Sequence, residues 1–91
     1  MTHAIVLIEA ERGAMPELGG ALADIPGVAE AWSVTGDWDY VAMLRVRSAE
    51  EIAEVVTGHL ARVPGIRRTH TMVAFEVFSK HDLEALFSIG T

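Results

Sequence analysis

Hydrophobic and polar positions along the chain alternate between two rhythms. His3–Ala10 ("HAIVLIEA") is apolar at consecutive positions and predicts a strand. In the following "ERGAMPELGGALADIPG", Met15, Leu18, Leu22 and Ile25 recur at spacings of three and four, the signature of one helical face. Pro16 suits a first-turn position, and Gly19-Gly20 weakens the helix while allowing close contact with a sheet. Val28–Thr35 and Tyr40–Val46 predict a second and a third strand, with Gly36-Asp37 at the turn between them. Ser48 and Glu51 have the spacing of a capping box. Ile52, Val55, Val56, Leu60 and Val63 then mark the buried stripe of a second helix, stopped by Pro64-Gly65. Ile66–Ser79 predicts a long fourth strand, and a short helical turn is expected around Leu83–Phe87.

The chain repeats itself. "LADIPGVAEAWSV" (Leu22–Val34) aligns with "LARVPGIRRTHTM" (Leu60–Met72), both running Leu-Ala-x-(Ile/Val)-Pro-Gly-(Val/Ile). Each copy is the end of a helix, a Pro-Gly stop and the start of a strand. The element order is therefore βαββαβ. Two βαβ units predict an α+β, ferredoxin-like fold: a four-stranded antiparallel sheet with two helices on one face.

Alternation within the strands sharpens this picture. Ala4, Val6 and Ile8 oppose Ile5 and Leu7; Tyr40, Ala42, Leu44 and Val46 oppose Val41 and Met43; Val73, Phe75 and Val77 oppose Met72, Ala74 and Phe78. Both faces of the sheet are apolar, yet two helices cover only one. An antiparallel sheet with a wet second face alternates apolar and polar, so the second face is expected to pack on another sheet in a two-fold dimer. The overall 51% of hydrophobic residues agrees, being more than one small core of a 91-residue chain needs.

Composition excludes several classes. A net charge of −6 leaves no electrostatic footprint for nucleic acid, and the basic pair Arg67-Arg68 is too short to change that. There is no cysteine, hence no disulfide, thiolate metal site or thiol nucleophile. No run approaches the length of a spanning helix, and the first residues read as a strand rather than a signal peptide. A single domain over residues 1–91, soluble and cytoplasmic, is expected.

Little in the motifs suggests catalysis. His3, His59, His70 and His81 make none of the metal or catalytic spacings, and Ser33, Ser48, Ser79 and Ser88 sit in no G-x-S-x-G context. No glycine loop for phosphate and no cofactor site is recognisable. The distinctive stretch is Val34–Val41, "VTGDWDYV". Asp37 and Asp39 read either as turn and strand-end residues or as an acid pair. Trp38 and Tyr40 read as hairpin packing or as a site wall. A corner with exposed backbone N–H groups, an aromatic ring and a carboxylate can hold a zwitterion, the acid taking the ammonium and the amides the carboxylate. Thr69 and Thr71 share one face of strand four; threonine favours strands, and two hydroxyls can also bond a ligand or a subunit.

Taken together, "IPGV", "TGDWDYV", the capped helix and "VPGIRRTHT" make the whole chain resemble the effector-binding (RAM) domain of the Lrp/AsnC family. The family pattern of Gly-Asp-aromatic-Asp at the corner and Thr-x-Thr in the last strand is met by Gly36-Asp37-Trp38-Asp39 and Thr69-His70-Thr71. The resemblance implies a dimeric α+β barrel, homodimers packed sheet to sheet, and rings of four or more dimers such as octamers. It also implies an amino acid or similar small metabolite bound between dimers near Gly36, Asp37, Trp38, Asp39, Thr69 and Thr71. Family regulators carry an N-terminal helix-turn-helix. Here strand one begins at about residue 3, so the chain looks like a stand-alone effector module that co-assembles with full-length Lrp/AsnC regulators and modulates transcription without contacting DNA. Tryptophan at position 38, where tyrosine or phenylalanine is more usual, narrows the pocket. The alternative is a small enzyme of the same fold, a cofactor-free monooxygenase or isomerase, for which His59 is the one helical acid–base candidate. An assembly protein without a ligand is the third reading.

Overall fold

The computed structural model describes residues 1–80. The strands are β1 (Thr2–Ala10), β2 (Val28–Ser33), β3 (Tyr40–Val46) and β4 (Ile66–Val73), and the helices begin with α1 (Met15–Ala23) and α2 (Ala49–Ala53). They form one four-stranded antiparallel sheet in the order β2-β3-β1-β4. This is the ferredoxin-like arrangement expected from the βαββαβ order.

Strand alternation divides the sheet cleanly. Ala4, Val6 and Ile8 of β1 and Ala42, Leu44 and Val46 of β3 are buried, against Leu18 and Leu22 from α1, Ile25 just after it, and Ile52, Val55 and Leu60 from the second helical region. Each large aliphatic side chain buried here contributes about 1.5–3 kcal/mol. Both helices lie over this face. On the other face the register lines up two rows, Trp32–Val41–Leu7–His70 and Glu30–Met43–Ile5–Met72. Ile5, Leu7, Val41 and Met43 in the middle of these rows are only half-buried. The edge residues Trp32 and Met72 are 41% and 42% exposed.

Tyr40 is a core residue rather than a site wall. It is 7% exposed, and its hydroxyl donates to the carbonyl of Met15 at 2.6 Å, fastening α1 to β3. The helix passes close at this point: a Cβ on Gly19 would stand 3.2 Å from the Tyr40 ring.

The second helical region departs from a single regular helix. After α2 the chain widens into a π-helical segment, Glu54–His59, and closes with a 3-10 turn, Leu60–Arg62. The buried stripe survives the change. Ser48 caps α2 as expected, accepting from the amide of Glu51. The returning Glu51 carboxylate, however, accepts from the amide of Arg47 rather than of Ser48, so the box closes one residue early.

The repeat is visible in three dimensions. Gly27 and Gly65 occupy the same left-handed backbone, with φ of 95° and 93°, and each starts an edge strand. A Cβ at Gly27 would approach Val55 to 2.9 Å, and one at Gly65 would approach Ala14 to 2.6 Å, so glycine is needed for both conformation and space. Two residues further on, each edge strand is irregular: β2 skips Ala29 between Val28 and Glu30, and β4 skips Arg67 between Ile66 and Arg68. The two halves thus share their stop, their turn and their bulge.

Strand β2 ends at Ser33, two residues short of expectation, and β4 ends at Val73 rather than Ser79. The reason for the second lies in its partner. Val73 pairs with Ala4, and β1 begins at Thr2, so only His3 and Thr2 remain to face a longer β4, too few for a strand reaching Ser79. The last contact is the Ala74 amide donating to the His3 carbonyl at 2.9 Å. Beyond it, Ala74, Glu76 and Val77 lie over the open face beside His3, Ile5 and Met43. Phe75 is fully exposed and Phe78 80% exposed. The helical turn expected at Leu83–Phe87 lies outside the described residues. Among the described residues no helix is long and apolar enough to cross a membrane.

Candidate functional site

The connection from β2 to β3 is a six-residue loop, Val34 to Asp39, closed by the Val34 amide donating to the Asp39 carbonyl at 3.0 Å. Asp39 anchors it to β1 as well. Its amide donates to the carbonyl of Ile8 at 2.9 Å, and its Oδ2 accepts the amide of Ala10 at 2.7 Å. These bonds hold the loop against the end of β1, so half-buried Asp39 has a structural task. Asp37 differs: it is exposed, and no described residue contacts its carboxylate through a hydrogen bond or ion pair.

Between the two anchors, no acceptor among the described residues faces the amides of Thr35, Gly36, Asp37 and Trp38. Gly36 has φ of 106°, and the space where a Cβ would sit is open. The corner therefore offers a row of free donors beside a free carboxylate.

Trp38 is half-buried on the open-face side. The Arg68 guanidinium carbon lies 4.4 Å from its ring centroid, and the His70 ring lies at 6.3 Å with an interplanar angle of 44°. The bulge in β4 organises this group. Neighbouring residues of a regular strand point to opposite faces, but the skipped residue lets Arg67 and Arg68 reach the same carboxylate. Glu9 Oε1 lies 3.5 Å from Arg67 Nε, and Glu9 Oε2 lies 3.3 Å from Arg68 Nη2. Both arginines are largely exposed, so the ion pairs add little to stability. The cation–π contact adds about 0.5–1 kcal/mol at such an exposed site.

Thr69 and Thr71 are placed elsewhere. They pair with Ile8 and Val6, which puts them on the helix side of β4. Thr69 borders a cleft of about 360 Å³ between the π-helical segment and β4, lined also by Val56, Thr57 and Arg67. Of the six expected site residues, Gly36, Asp37, Trp38 and Asp39 lie together, and the two threonines lie across the sheet from Trp38. Arg68 and His70, which meet Trp38, were not among the expected residues. The period-two pattern contained them, since Arg68, His70 and Met72 share a face and Thr69 and Thr71 share the other.

His59 is exposed on the π-helical segment beside Pro26, Glu51 and Glu54. The described part of the interior holds no buried polar or charged side chain. No group of three or more histidine, aspartate or glutamate residues there could hold a metal.

Comparison with known proteins places the chain in one family. The HTH-type transcriptional regulator FL11 of Pyrococcus horikoshii is 30% identical over 73 residues, which make up 80% of this chain and 48% of that protein. The chain spans about half or less of the length of the curated relatives it matches. The crystal structure of TTHA0845 from Thermus thermophilus is 40% identical, with a TM-score of 0.82, covering 88% of this chain and 100% of that one. The structure of the transcriptional regulator NMB0573 in complex with L-Met, from Neisseria meningitidis, shares the fold at 14% identity, with a TM-score of 0.77 over 86% of this chain and 52% of that one. The Lrp/AsnC ligand binding domain model matches residues 3–83, and the chain belongs to this family.

Proposed function

We propose that the chain is an amino-acid-sensing and assembly module that acts on transcription indirectly, without binding DNA itself. The observation that carries this reading is the Thr35–Trp38 corner. Four free amides stand beside the free carboxylate of Asp37, within a fold whose family is defined by ligand binding. A zwitterion needs these two kinds of partner: donors for its carboxylate and an acid for its ammonium. The L-Met complex of the Neisseria regulator supports an amino acid as the class of ligand. Asp39 shapes the corner. Thr69 and Thr71 would complete a ligand site only from a second copy of the chain.

The open apolar face supports a sheet-to-sheet homodimer, and ring assembly of dimers, alone or with full-length Lrp/AsnC regulators, follows the same reading. A net charge of −6 supports the absence of direct DNA contact, and cytoplasmic action accompanies a regulatory role. Catalysis gains no support from His59, which is exposed beside the acidic side chains of Glu51 and Glu54.

Thermal-shift and calorimetric titration with each of the twenty amino acids tests this function. At least one raises the melting temperature of the wild-type chain and fails to do so for Asp37→Ala. No shift with any of them overturns the reading.

A further inference from the structure

We infer that the corner selects amino acids with an anionic side chain, and that Arg68 is the residue that sets this preference. The inference rests on the sensing function proposed above and names its ligand class. Three observations carry it. First, two guanidinium groups gather beside the corner within an acidic chain: Arg67 and Arg68 share the single carboxylate of Glu9. Second, Arg68 commits one contact of 3.3 Å to Glu9, while its guanidinium carries five donors in all, so most of them are free for a carboxylate. Third, one face of Trp38, where a cationic ligand group would gain, is already held by Arg68, which lies over that ring at 4.4 Å.

With the ligand's ammonium at Asp37 and its α-carboxylate on the corner amides, a side chain extending along Trp38 meets Arg68. A side-chain carboxylate gains a charge-assisted pair there. A lysine or arginine side chain meets a like charge and must share the Trp38 ring with it. The β4 bulge brings a second arginine to Glu9, so Arg68 shares that carboxylate rather than holding it alone.

The test uses the full chain with L-glutamate, L-aspartate, L-methionine and L-lysine as probes in calorimetric titration. Wild type binds L-glutamate or L-aspartate roughly tenfold or more tightly than L-lysine, the scale of one charged hydrogen bond. Arg68→Gln removes the preference and Arg68→Glu inverts it toward L-lysine. Arg62→Glu, an equal charge change at an exposed position on the 3-10 turn, leaves the ranking as in wild type. Binding of amino acids with L-lysine equal or preferred, or a ranking that Arg68→Glu leaves unchanged, overturns the inference while the sensing function stands. Absence of binding by every amino acid overturns both.

Discussion

The Asp39 carboxylate accepts the amide of Ala10 at 2.7 Å, tying the loop before β3 to the end of β1. The neighbouring acid Asp37 makes no such contact among the described residues. The two carboxylates of the corner, alike in sequence, therefore divide into a fastener and a free group. Asp39→Ala leaves the Ala10 amide without its partner and costs about 1–3 kcal/mol. Asp37→Ala stays within about 0.5 kcal/mol of wild type. Urea unfolding of both variants measures this, and equal losses contradict the division.

Gly65 stands where a Cβ would come within 2.6 Å of the Ala14 Cβ, in a backbone with φ of 93°. Gly65→Ala is expected to cost about 2 kcal/mol or more, from left-handed strain and the contact together. Adding Ala14→Gly removes the contact but leaves the strain, so the double variant recovers part of the loss. Full recovery, or none, shows that one of the two causes is absent.

Val41 and Leu7 lie side by side in the middle of the open face. A glutamate at Val41 points away from the core, so it leaves the protomer's packing intact but charges the surface proposed to meet a second sheet. Light scattering then reports a smaller assembly, and the melting temperature loses its dependence on protein concentration. An unchanged assembly moves the interface elsewhere.

The Tyr40 hydroxyl is the donor to the Met15 carbonyl at 2.6 Å. Tyr40→Phe keeps the buried ring and removes this bond, at a cost of about 1 kcal/mol. Because the bond joins α1 to β3, amide exchange in α1 is expected to rise more than in α2.

Much of the fold was legible because its signals are local. The Pro-Gly stops, the helical stripes Leu18–Leu22–Ile25 and Ile52–Val55–Leu60, and the two apolar strand faces are all patterns of neighbouring residues. The length of β4 was not legible in the same way. "AFEVFS" keeps a strand's composition, but beyond the Val73–Ala4 pair β1 offers only His3 and Thr2, a fact about the partner strand. The π-helical widening at Glu54–His59 left no mark on the apolar spacing, since Val55 and Leu60 stay buried through it. At the site, the corner announced itself by its glycine and acids. Arg68 and His70 did not, because their meeting with Trp38 depends on the register of β4 against β1 and on a bulge that no residue type spells out.

That bulge occurs twice, at Ala29 and at Arg67, in matching places of the two repeats. Superimposing the halves residue by residue sets Glu30 against Arg68, Ala31 against Thr69, Trp32 against His70 and Ser33 against Thr71. The backbone instructions are held in common while the side chains differ in charge and chemistry. One edge of the sheet is acidic and aromatic; the other is basic and rich in hydroxyls. A pseudo-symmetric frame thus presents two unlike rims. Two copies of the chain meeting rim to rim can therefore tell head from tail, the acidic edge of one facing the basic edge of the other.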